Sequence, residues 1–171
     1  MDGWLPITER LLNSGVSSLL VTYREYGASG TRVAGDQRTN DADGALAYLR
    51  SRIGESADVA VAGSSCGVYH ALSAAARHPE QVRAVVALTG PHTRACRVSQ
   101  RTGRYRGVQR CRPRRRAGTH WARELKAASA SQMSAMAFAN GKAHGTDIFR
   151  SDPTYATELA TWLAKRLTAR R

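Results

Sequence analysis

The sequence predicts an α/β fold, a mostly parallel sheet with helices on both faces, in one domain over residues 1–171. Three observations carry that expectation. Short strand-like runs alternate with helix-like segments along the chain. The strand-like runs are unbroken apolar stretches, the pattern of strands covered on both sides. Gly, Pro and Asn punctuate the joints between them.

Taken in order, residues 4–13 (WLPITERLLN) predict a helix. Trp4, Ile7, Leu11 and Leu12 share one face, and Asn13-Ser14-Gly15 ends it. Residues 17–23 (SSLLVTY) predict a strand, and 24–40 a polar, Gly-rich loop. Asp41–Arg52 predicts the next helix, with Ala45, Leu46 and Tyr48 as its apolar residues and Gly54 after it. Asp58–Ala62 (DVAVA) predicts a second strand. Val68–His78 predicts a helix stopped by Pro79, and Val82–Leu88 a third strand. Residues 91–119 carry neither helical nor alternating periodicity. Trp121–Ala130 reads as helix, Ser134–Ala139 as strand and Asn140–Asp147 as loop. Pro153–Leu167 predicts the last helix, capped by Ser151 or Asp152, with Leu159, Trp162, Leu163 and Leu167 as its stripe.

Composition narrows the class. A chain of 171 residues with 42% hydrophobic residues can bury a real core and is not disordered by bulk measure. No apolar run approaches a membrane span, and MDGWLPITER lacks the basic-then-apolar pattern of a signal segment. Cys66, Cys96 and Cys111 have no metal-ligand spacing and make no even disulfide set, so a reduced, cytoplasmic protein is expected. The net charge of +13 is local. Residues 91–119 hold ten arginines and no acid, and the rest of the chain carries only +3.

In a parallel α/β sheet, chemistry gathers beyond the carboxyl ends of the strands. Three features fall there: the loop after Tyr23, the turn Gly63-Ser64-Ser65-Cys66-Gly67, and the loop around His144. The turn joins a strand directly to a helix. A sharp turn of this kind strains its apex residue and crowds the positions two before and two after it. Only Ser65 has glycine at both places, Gly63 and Gly67, so the spacing selects Ser65 over Ser64 and Cys66 as a nucleophile. The Cys66 amide then lies at a helix start, where it can donate to an oxyanion. A serine nucleophile needs a base. Of five histidines, His70 and His78 read as surface positions on the helix after the turn. His144, in a Gly-flanked loop at the sheet's carboxyl edge, is the best-placed base.

VAVAGSSCGVYHALSAAARHPEQVRAVVALTGPH and NGKAHGTDIF, with LLVTYREYGASG before them, resemble the α/β-hydrolase superfamily, dienelactone hydrolase-like bacterial hydrolases in particular. The resemblance covers residues 4–92 and 121–167. It implies a partial α/β-hydrolase fold and a serine hydrolase acting on a small ester or related acyl substrate, with no metal or organic cofactor. Ser65 is then the nucleophile, His144 the general base and Cys66 one oxyanion donor. Dienelactone hydrolases proper carry Cys at the apex, so Ser65 points to an esterase-like relative. Two departures stand out. The family's first strands are missing, as in an N-terminally truncated chain, and the gap invites an oligomer or partner to cover the incomplete sheet. The family's triad acid falls where this chain has its Arg-rich segment, and neither Glu80, Glu124 nor Asp147 is a convincing substitute. Residues 93–119 read as a basic, irregular insertion or an out-of-frame segment. The alternatives are a catalytically inactive hydrolase remnant and a basic nucleic-acid-binding protein acting through 94–116. That segment matches no named recognition module, so specific nucleic-acid binding is not expected.

Overall fold

A computed structural model describes residues 2–30, 37–89 and 143–168, together with Arg123 and Ala127. It is a mixed α/β structure. After a 3₁₀ turn at Asp2–Trp4 come helix α1 (Leu5–Asn13), helix α2 (Arg38–Ile53), strand β1 (Val59–Ser64), helix α3 (Gly67–Arg77) and strand β2 (Val82–Leu88). Later come a 3₁₀ turn at Gly145–Asp147, the short helix α4 (Ile148–Ser151) and helix α5 (Pro153–Thr168). Arg123 and Ala127 are helical, in keeping with the helix expected there. The Arg-rich segment 93–119, His92, His120 and the strand expected over 134–139 lie outside the described residues.

β1 and β2 pair in parallel, with Ala60 opposite Ala84 and Ser64 opposite Leu88. Strand alternation divides the β2 side chains between two layers. Val85 and Ala87 pack with Val68 and Leu72 of α3. Val86 and Leu88 face the other way, into a core with Ile7 and Leu11 of α1, Ile148 and Phe149 of α4, and Ala156, Ala160 and Leu163 of α5. Helices therefore cover both faces of this pair, as the unbroken apolar strands imply. Small residues let α5 come close, since Ala156 is fully buried. At the start of α5, the Tyr155 amide donates to the Asp152 carboxylate at 3.2 Å, so Asp152 serves as the cap.

Some expectations need correction. Residues 17–23 form no strand. A strand exists through its ladder, and among the described residues β1 pairs only with β2. Val16 packs against the α1–α5 core, and Tyr23 lies beside His70 of α3. The segment between them carries Leu19 and Val21 exposed at 38% and 39%. Leu12 and Tyr48, expected on buried faces, are exposed. The α2 helix instead buries Leu46 and Arg50. Arg50, only 5% exposed, donates to the carbonyls of Gly54, Glu55, Ala57 and Gln81. It thus ties the end of α2 to the approaches of both strands, a role no hydrophobic pattern announces.

Candidate active site

β1 extends through Gly63 and Ser64, two residues beyond its expected end, and delivers the chain directly into Ser65. Ser65 has φ 54°, in the left-handed region that non-glycine residues rarely occupy. Cys66 is the N-cap of α3, and the helix begins at Gly67. The Ser65 amide donates to two carbonyls at the end of β2, Leu88 at 3.1 Å and Thr89 at 3.0 Å. These bonds help hold a conformation that costs about 1–3 kcal/mol in isolation.

The crowding expected around the apex falls on one glycine only. A Cβ on Gly63 would overlap the Gly67 carbonyl and lie 2.7 Å from the Val68 nitrogen. A Cβ on Gly67 would meet nothing within 4 Å. Gly63 is therefore required by close backbone approach, and Gly67 is not required by space.

His144 reaches this apex. Its Nε2 lies 2.9 Å from Ser65 Oγ. The next residue, Gly145, is buried with φ 65°, and a Cβ there would stand 3.0 Å from Ser64 Oγ. The Gly145 amide donates to Thr89 Oγ1 at 2.8 Å. The expected loop is shorter than predicted, because Gly145–Asp147 forms a 3₁₀ turn that runs into α4. There Ile148 and Phe149 are buried, and Phe149 packs on Trp4 and Tyr155. Core burial just downstream of His144 thus sets the position of the imidazole.

Cys66 is exposed, at the N-cap of α3. At the first positions of a helix, amide groups have no intrahelical acceptor and the dipole favours negative charge.

The remaining candidates sort by position. His70 is not a surface residue. It is 3% exposed, with Nδ1 3.2 Å from Thr39 Oγ1 and its ring against Tyr23 and Tyr69. α2 packs on α3 and brings Thr39 to the ring, a contact between remote segments that the helix pattern around His70 does not announce. His78 is half-buried, with Nε2 3.0 Å from Asp43, a carboxylate that also accepts from Arg77. Glu80 precedes β2, whereas Ser65 follows β1. In parallel strands those are opposite edges, so Glu80 cannot orient His144. Asp147 is exposed on the 3₁₀ turn, and Glu124 lies outside the described residues. A cleft of about 290 Å³ lined by Asp43, Leu46, Arg50, His78 and Gln81 lies at that opposite edge, away from the serine–histidine pair.

One pair near the site went unread in the sequence. Asp41 accepts from the Arg24 backbone amide at 3.0 Å and from its Nε at 2.7 Å, pinning the loop after Tyr23 to α2. Seventeen residues separate the two, and no local pattern links them. The hydrogen bond from Arg24 holds the Asp41 carboxyl below its ordinary range, while burial raises the Tyr23 phenol. A carboxyl depressed in the folded state stabilises above its unfolded pKa, and that contribution is lost as pH falls through the folded value. Asp41→Asn is therefore expected to lower Tm slightly at pH 7, by about 1–3 °C. The difference from the parent chain should close as pH falls below the ordinary carboxylate range and through the folded-state value. Paired thermal melts across that range check it, and a gap persisting at the acid end would contradict it.

Comparison with protein-family models, curated proteins and solved structures finds no match to this chain. Among the described residues no helix is long and apolar enough to cross a membrane.

Proposed function

We propose that the chain is a serine hydrolase of the α/β-hydrolase type, acting on a small ester or related acyl substrate. The observation that carries this reading is the 2.9 Å approach of His144 Nε2 to Ser65 Oγ. The positive φ of Ser65 at a strand-to-helix turn supports it, because that geometry projects the hydroxyl away from the backbone.

The chemistry follows from the groups present. Nε2, as the unprotonated ring nitrogen, accepts the Ser65 hydroxyl proton while Oγ bonds to the acyl carbon. The carbonyl electron pair moves onto oxygen, where the Cys66 amide and the α3 N-terminus stabilise it. Collapse breaks the ester bond, and the leaving alkoxide takes the proton from His144. Water, deprotonated by the same nitrogen, then attacks acyl-Ser65, the acyl–Oγ bond breaks as His144 returns the proton to Oγ, and the acid is released.

A catalytically inactive remnant of the same fold is the second reading, favoured by the lack of a ladder over residues 17–23 among the described residues. Labelling with a fluorophosphonate probe separates the two. The folded chain is expected to label on one serine, Ser65→Ala not at all, and His144→Ala far more slowly. A folded chain that does not label, or a Ser65→Ala variant that still does, overturns the hydrolase reading.

A further inference from the structure

We infer that Thr89 is the positioning residue that sets the distance between the nucleophile and its base. The inference rests on the hydrolase reading and deepens it. Thr89 directly follows the last residue of β2 and touches both halves of the site through different atoms. Its carbonyl accepts the Ser65 amide at 3.0 Å. Its Oγ1 accepts the Gly145 amide at 2.8 Å, one residue from His144. Ser65 and His144 lie 79 residues apart in sequence, and this single residue bridges their backbones.

The backbone of Thr89 supports the assignment. Its φ is 46°. For a β-branched residue this is a genuine outlier, and such strain persists only where the surroundings over-determine it. Here the tie to the elbow and the tie to the histidine loop do so together. The Gly145 side of the bridge is equally constrained, since that residue is buried and leaves little room for a Cβ beside Ser64. With the hydroxyl removed, the buried Gly145 amide loses its acceptor, and the loop has reason to shift toward another. A shift of about 1 Å in a reacting pair can cost roughly 100-fold in rate.

Thr89→Val keeps the side-chain shape and the β-branch and removes only the acceptor. Thr89→Ser keeps the acceptor. The valine variant is expected to label with the fluorophosphonate about 10–100-fold more slowly, with the serine variant close to the parent. Where an ester substrate is turned over, the loss should fall on kcat and leave KM nearly unchanged. Two readouts need no turnover. Exchange of the Gly145 amide should accelerate about tenfold or more in Thr89→Val. The His144 imidazole NMR signals should move in Thr89→Val and return in Thr89→Ser. Equal labelling rates for valine variant and parent overturn the inference. So does an equal loss in both variants, which would mark Thr89 as a fold residue only. If the parent itself fails to label, the hydrolase reading falls alone. The imidazole signals then decide the bridge, and signals that stay in place in Thr89→Val overturn it.

Discussion

Replacing His144 by alanine is expected to lower kcat for a small activated ester by about 10⁴–10⁶-fold. In the proposed mechanism the Ser65 hydroxyl, a weak nucleophile at neutral pH, depends on Nε2 at 2.9 Å as its base. Removing it leaves only the oxyanion donors and binding to act on the substrate. The fold should tolerate the change. His144 is only partly buried, and the anchoring of its loop comes from Gly145, Ile148 and Phe149, which are buried and unchanged. Ester hydrolysis and a thermal melt on the same preparation check both halves. A loss of activity below about tenfold, with the melt unchanged, would remove His144 from the role of base.

The largest structural effect is expected at Gly63. A methyl group there overlaps backbone atoms of Gly67 and Val68, which cannot rotate away as a flexible side chain would. Either β1 or the first turn of α3 has to move. Overpacking of this kind costs roughly 3 kcal/mol or more, which for a chain of this size corresponds to a fall in Tm of about 6–12 °C. Because Ser65 lies between those two elements, Gly63→Ala should also abolish fluorophosphonate labelling. Gly67→Ala is the contrast. Its Cβ meets open space and its φ is not positive, so stability should change by less than about 1 kcal/mol. Calorimetry of the two variants side by side tests the distinction. Equal losses would mean that both glycines carry the turn.

The legible parts of this chain are those governed by local rules. β2 runs over Val82–Leu88 as its apolar run predicts, because a strand covered on both faces needs no polar alternation. α5 begins at Pro153 as predicted, because a capping carboxylate and a proline in the first turn act within four residues. The Gly63–Gly67 spacing singled out Ser65 for the same reason, since the crowding it answers is contained in five residues.

What lay beyond reach depended on partners distant in sequence. SSLLVT has the composition of a strand, yet a strand is a relation between two segments, and none of the described residues pairs with it. His70 and Arg50 look like surface residues on amphipathic helices until α2 packs on α3 and the approaches to the strands fold over the guanidinium. Thr89 carried no signal at all. Its backbone twist and its two acceptors acquire meaning only when the elbow and the histidine loop arrive from either side of it in the sequence. The sequence alone determined the α/β class and the turn with Ser65 at its apex, because those rest on periodicity and short-range sterics, and it pointed to His144 through the place of its loop in the expected order of strands. The tertiary structure decided which residues hold that serine and histidine 2.9 Å apart, because such contacts are made only when remote backbone groups must find hydrogen-bond partners in a shared interior.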